Sequence, residues 1–246
     1  MRNIRLLIEY DGTEYAGWQV QAGQPTIQGS VIEAIRRLTG ERVKLAGASR
    51  TDAGVHALGQ AANFLTGSSI PAIGLRKGLN SLLPPDIVIK AAEEAVPGFD
   101  SRRDAKGKIY LYRILNRAYP SALLRRYSWF VYKPLDIGLM REGAGYLVGE
   151  KDFTSFRAAD SDALHFVREV TSVRIEERGD GIIELEVKGT AFLRHMVRIM
   201  AGTLVELGKG DKLKPEDMQR IIEARDRTAA PMTAPPQGLF LVKVEY

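Results

Sequence analysis

The sequence predicts an α+β fold of two ferredoxin-like (βαββαβ) halves, forming a largely antiparallel central sheet with helices on one face and a cleft between the halves. Three observations predict it. Apolar residues alternate with period two near the start, an apolar stripe at helical spacing follows, and the resulting order of elements recurs in the second half.

Ile4, Leu6, Ile8 and Tyr10 fall on one face of a strand near 3–10. Ile27, Val31, Ile35 and Leu38 recur at helical spacing and predict a helix near 27–39. Short strands are expected near 42–48 and 59–66, then a helix near 72–82 stopped by Pro84-Pro85, then the apolar strand Asp86-Ile87-Val88-Ile89-Lys90. The second half reads as a strand at 108–116, a helix near 136–148 closed by Gly149, and a long strand near 165–178. The turn Gly179-Asp180-Gly181 leads to a return strand at 181–188, a helix near 191–207 and a last strand at 239–246. An extra helix near 215–225 opens on Pro215, Glu216 and Asp217, residues suited to a helix N-terminus. The join is expected near 97–107, in Pro97-Gly98-Phe99-Asp100 and the charged stretch after it, giving halves of residues 1–105 and 106–246.

At 246 residues, 45% hydrophobic and 26% charged, the chain can bury a full core, which excludes disordered and fibrous classes. No apolar run approaches the roughly 18 residues that cross a bilayer, and Met1-Arg2-Asn3-Ile4-Arg5 lacks the apolar core of a signal peptide. A cytoplasmic protein without a membrane partner is expected. Cysteine is absent, which removes disulfides, thiol nucleophiles and thiolate metal sites. His56, His165 and His195 have no shared ligand spacing, and no phosphate-binding glycine motif occurs, so neither metal nor nucleotide cofactor is expected. His195, beside Met196 in the apolar 191–207 segment, reads as a packed core histidine.

The formal charge is +5, and it is unevenly spread. Arg102, Arg103, Lys106, Lys108, Arg113, Arg117, Arg125 and Arg126 face one acid, Asp104, within residues 102–126, a local balance of +7 against −2 for the rest of the chain. Tyr110, Tyr112, Tyr119 and Tyr127 are interleaved. Cations meet phosphates and aromatic faces stack on bases, so the stretch reads as nucleic-acid binding; a solvated face with core tyrosines is the other reading.

The densest chemistry lies in Gly47-Ala48-Ser49-Arg50-Thr51-Asp52-Ala53-Gly54-Val55-His56-Ala57-Leu58-Gly59-Gln60, which crosses from one expected strand to the next. Its glycines and small residues permit tight turns, and Asp52 beside Arg50 is a carboxylate presented by a loop. Three readings of Asp52 stand. It caps an Asx-turn; it belongs to an aspartic-protease-like Asp-Ala-Gly, for which the chain holds no second copy; or it is a nucleophile kept ionised by a nearby cation.

Six stretches in order carry a resemblance. They are Tyr10-Asp11-Gly12-Thr13-Glu14-Tyr15-Ala16-Gly17-Trp18-Gln19, Arg50-Thr51-Asp52-Ala53-Gly54-Val55-His56-Ala57, and Lys108-Ile109-Tyr110-Leu111-Tyr112-Arg113. After these come Asp152-Phe153-Thr154-Ser155-Phe156, Phe192-Leu193-Arg194-His195-Met196-Val197-Arg198, and Thr233-Ala234-Pro235-Pro236-Gln237-Gly238-Leu239. With them the chain resembles the bacterial TruA-type tRNA pseudouridine synthases nearly end to end, departing at Ser49, where the family more often has Gly. The resemblance implies a cofactor-free isomerisation of uridine to pseudouridine at positions 38, 39 and 40 of the tRNA anticodon arm, by a homodimer. It implies Asp52 as the essential aspartate, acting at C6 of the uracil, at C1′ of the ribose, or through a glycal route. It implies Tyr110 as the tyrosine stacked on the target uracil, Arg198 as the cation paired with the aspartate, and Arg50 as the arginine that helps displace the nucleotide. Arg194 and Arg198, four apart in the expected helix, should project from one side, and Tyr112 should pack in the core.

Overall fold

The alternation at the start forms strand β1, Arg2–Tyr10, in the computed structural model, which describes residues 1–159 and 164–246. Ile4, Leu6, Ile8 and Tyr10 are all buried. Helix α1, Ile27–Thr39, begins where the Thr26 hydroxyl accepts from Gly29 N–H at 3.3 Å and ends where Gly40, in the left-handed region at φ 77°, donates to Arg36 C=O. Strands β2 (Ala46–Gly47) and β3 (His56–Thr66), helix α2 (Ala72–Leu82) and strand β4 (Ile87–Glu94) follow. The Asn80 amide of α2 brackets Ile89 of β4, accepting from its N–H at 2.7 Å and donating to its C=O at 3.0 Å. β1 lies between β4 and β3, antiparallel to both, with Ile4 opposite Phe64 and Leu6 opposite Ala62.

The second set of elements is β5 (Gly107–Asn116), β6 (Trp129–Val131), α3 (Ile137–Gly145), β7 (Gly149–Asp152), β8 (Val167–Gly179), β9 (Ile182–Gly189), α4 (Met196–Gly208), α5 (Asp217–Ala224) and β10 (Leu239–Glu245). β5, β9, β8 and β7 are joined in that order by antiparallel pairing, with β6 parallel to the end of β5. Gly179, Asp180 and Gly181, all at positive φ, make the β8–β9 turn. The chain is thus α+β, with mixed, mostly antiparallel sheet. By internal contacts it gathers into two units, Met1–Lys106 with Phe240–Tyr246, and Gly107–Leu239. In the first, Phe240 and Leu241 of β10 run parallel beside His56 and Ala57 of β3.

Four expected element boundaries need correction, and two residue placements change with the last of them. The strand near 42–48 is only Ala46–Gly47, because side chains claim the backbone around it: Gln28 donates to Leu45 C=O at 2.9 Å, and the Glu41 carboxylate accepts from Gly67 N–H and Thr66 Oγ1. Its neighbour begins at His56 rather than 59. The helix near 136–148 ends at Gly145; residues 146–148 continue in three-residue turns, and Gly149, at φ 107°, opens a strand instead of closing the helix. The helix near 191–207 begins at Met196, since His195 sits at φ 64° and Thr190 N–H and Arg194 C=O are bonded elsewhere, to Glu169 and Ala158. Arg194 therefore lies outside α4, so helical spacing does not relate it to Arg198, and His195 is a partly exposed residue at the head of the helix rather than a core one.

Candidate active site

Asp52 lies in the connection between β2 and β3, half-buried, with Arg50 exposed two residues before it. Local bonds shape the loop from inside: Val55 N–H donates to Asp52 C=O at 3.1 Å. The fully buried Gln60 amide grips both backbone groups of Ser49, accepting from its N–H at 3.3 Å and donating to its C=O at 2.7 Å. Ser49 is not at positive φ, so the residue that departs from the resemblance fits its place without strain.

The 10–18 segment braces the same loop. The Tyr10 hydroxyl and Thr51 Oγ1 are 2.7 Å apart in the core, Trp18 N–H donates to Thr51 C=O at 3.0 Å, and Gly54 N–H donates to Tyr15 C=O at 3.4 Å. Two glycines make this approach possible. A Cβ on Gly17, itself at φ 96°, would sit 2.5 Å from Thr51 C=O, and one on Gly12 would sit 2.0 Å from Val55 C=O. Both obstacles are backbone and cannot rotate away. Gly12→Ala is therefore expected to destabilise by about 3 kcal/mol, lowering the melting temperature by roughly 6–12 °C. Gly145→Ala, whose Cβ meets nothing within 4 Å, should leave it unchanged or raise it in the same thermal melt.

In the second unit Tyr110 and Tyr112 share the inward face of β5, both buried. Tyr110 meets Phe192 edge to face with centroids 5.2 Å apart. Burial pushes the Tyr112 phenol well above its ordinary pKa, with Arg198 pulling the other way, so the hydroxyl keeps its proton and donates to Pro235 C=O at 2.8 Å. Arg198, in the first turn of α4, donates from Nε to Ala234 C=O at 2.8 Å, while Ala234 N–H returns a bond to Arg198 C=O at 3.1 Å. One nitrogen of the guanidinium is thus spent on fixing its direction. Two of the basic residues singled out by charge are matched by acids distant in sequence, Arg113 by Glu184 at 2.8 Å and Arg117 by Asp180 at 2.9 Å. Among the described residues no cluster of three His, Asp or Glu side chains is placed to hold a metal ion, and no helix is long and apolar enough to cross a membrane.

A family model described as tRNA pseudouridine synthase matches residues 6–101 and 144–246. The chain belongs to the tRNA pseudouridine synthase family. It is 50% identical over 246 residues to the tRNA pseudouridine synthase A of Acetivibrio thermocellus and 48% identical to that of Geobacter sulfurreducens, with all of both chains covered. To that of Myxococcus xanthus it is 46% identical, over 100% of this chain and 92% of the relative. Among solved structures it is similar to a chain titled as a Cbf5-Nop10-Gar1 complex, at 12% identity and a TM-score of 0.39, spanning 82% of this chain but only 45% of that one. Membership carries tRNA pseudouridine synthase activity, an isomerisation.

For a pseudouridine synthase, the residues read from the sequence fall into two groups. Arg50 and Asp52 share the braced loop of the first unit, and Tyr110 and Arg198 stand on β5 and α4 of the second. Nothing in the sequence marks Tyr10, His56 and Gln60 as the loop's support beyond their place: Tyr10 and His56 lie in two of the six stretches that carry the resemblance, and Gln60 ends the glycine-rich stretch 47–60.

Proposed function

We propose that the protein isomerises uridines 38, 39 and 40 in the anticodon arm of tRNA, with Asp52 as the reacting carboxylate. Tyr110 stacks on the displaced uracil, Arg198 is the cation that keeps the carboxylate ionised, and Arg50 favours the displaced nucleotide. The observation that carries the reading is full-length identity of 50% to a tRNA pseudouridine synthase A, with Arg50, Asp52, Tyr110 and Arg198 all present. The braced loop supports it, because a carboxylate on a fixed backbone reacts without first being ordered.

The reaction keeps every atom of the uridine. The C1′–N1 bond breaks, the uracil turns, C5 bonds to C1′, and the proton lost from C5 is balanced by one gained at N1. No oxidant, water or nucleotide is consumed, so a carboxylate, a cation and a stacking ring suffice as protein groups. Whether Asp52 adds to C6, attacks C1′ or assists a glycal route, each path needs it ionised. The same reading takes residues 1–105 and 106–246 as two ferredoxin-like halves and the working form as a cytoplasmic homodimer with one tRNA spanning both subunits.

The test is incubation of the purified protein, without metal or nucleotide, with an unmodified tRNA transcript, followed by carbodiimide labelling and primer extension. New stops confined to uridines 38–40 are expected. Stops elsewhere would displace the proposed positions, and binding without any stop on several tRNAs would remove the catalytic reading.

A further inference from the structure

The stretch from Tyr10 to Gln19 is one of the six that carry the resemblance, yet none of its side chains has a task in the chemistry above. Several of its groups are spent on the residues either side of Asp52. Before the aspartate, Thr51 is gripped twice: at Oγ1 by the Tyr10 hydroxyl, 2.7 Å away with both residues buried, and at C=O by Trp18 N–H. After it, Gly54 N–H is bonded to Tyr15 C=O, and Gly12 lies against Val55 C=O.

The last grip comes from His56. Its ring is 1% exposed and stacked on Phe240, with centroids 4.8 Å apart. Nδ1 lies 3.1 Å from Gly12 N and 3.1 Å from Asp11 Oδ1. The ring therefore either accepts from the amide or, protonated, donates to the carboxylate, and either bond ties it to residues 11–12. Asp11 is itself fixed, accepting from Thr13 N–H at 3.0 Å and donating its own N–H to Asp86 C=O at 2.9 Å. Burying polar groups costs free energy that apolar packing in the same space would avoid, and here the buried contacts tie residues 10–12 to Thr51 before the aspartate and to His56 after it.

We infer that Tyr10 and His56 are positioning residues of the isomerisation, Tyr10 acting through Thr51 and His56 through Gly12 and Asp11, together setting where the Asp52 carboxylate stands. The inference rests on the assignment of Asp52 made above. A misplacement of about 1 Å at a reacting group costs on the order of 10²-fold in rate, so loss of either grip should appear in kcat and leave RNA binding alone.

The experiment compares Tyr10→Phe, His56→Phe, His56→Asn and Asp52→Asn with wild type in steady-state and single-turnover pseudouridylation of an unmodified tRNA transcript. Tyr10→Phe and His56→Phe are expected to lower kcat by roughly tenfold or more with KM within about twofold. His56→Asn, whose amide can accept from Gly12 or donate to Asp11, should recover to within about threefold of wild type. That rescue and the kcat-against-KM split are what a purely structural role would not produce. If His56→Phe does not fold, Tyr10→Phe and His56→Asn decide. A kcat within twofold of wild type in Tyr10→Phe, or a loss carried by KM alone, overturns the inference. If Asp52→Asn is inactive while Tyr10→Phe and His56→Phe run at the wild-type rate, only the positioning inference falls. If Asp52→Asn is itself as active as wild type, the assignment of Asp52 falls and takes the inference with it.

Discussion

Asp52→Asn is expected to abolish pseudouridine formation, lowering single-turnover rates on an unmodified transcript by roughly 10⁴-fold or more, about 5.5 kcal/mol of transition-state stabilisation. The substitution is nearly isosteric and leaves in place the backbone that shapes the loop. Val55 N–H still finds Asp52 C=O, Trp18 still donates to Thr51, and the Gln60 amide still brackets Ser49. What is lost is a negative charge and a nucleophilic oxygen, since an amide has neither. The melting temperature should therefore move by no more than about 4 °C, corresponding to roughly 1 kcal/mol in a chain of this size. Filter binding at a fixed salt concentration should show tRNA affinity within a few-fold of wild type, fixed salt being essential because phosphate contacts make affinity steeply salt-dependent. An active Asp52→Asn variant of unchanged fold would move the chemistry to another group.

The parts of the fold that local pattern governs were legible, and the parts that distant side chains govern were not. β1 and α1 follow from alternation and from the Ile27, Val31, Ile35 stripe, because one period repeated over nine or thirteen residues leaves little room for another structure. Residues 42–48 alternate too, but the Gln28 amide takes Leu45 C=O and the Glu41 carboxylate holds Thr66 and Gly67 at the end of β3, and no local pattern shows those bonds. The head of α4 fails for a related reason. Residues 191–195 hold no Gly or Pro to announce a boundary, and the left-handed His195 accompanies tertiary bonds that hold residues 190 and 194 in a loop. At the candidate site the glycine-dense loop around Asp52 was visible. Its bracing was not, since Tyr10 and Thr51 are 41 residues apart and Gly12 and His56 are 44. The excess of charge at 102–126 can be counted in the sequence but its pairing cannot, because Glu184 and Asp180, which match Arg113 and Arg117, arrive on β9 and the turn before it.

Arg198 separates into an anchor and a charge, and three substitutions can pull them apart. Nε donates to Ala234 C=O, and the remainder of the guanidinium carries the cation proposed to act on Asp52. In Arg198→Gln the amide nitrogen occupies the place of Nε, so the bond to Ala234 survives while the charge goes. In Arg198→Lys the charge stays, but a single ammonium cannot both hold Ala234 and project as the guanidinium does. Arg198→Ala removes both and leaves Ala234 C=O without its side-chain donor, a loss of about 1–3 kcal/mol. If the charge serves the reaction, kcat at saturating RNA should fall by about 10²–10³-fold in Arg198→Gln and Arg198→Ala, and by less in Arg198→Lys. If the residue serves only to anchor the 233–238 segment, the order reverses: Gln keeps its rate and its melting temperature, while Lys and Ala lose both. Assays run well below the lowest melting temperature of the set keep the two effects apart. A wild-type rate in Arg198→Gln would then remove Arg198 from the chemistry, while its bond to Ala234 would still stand.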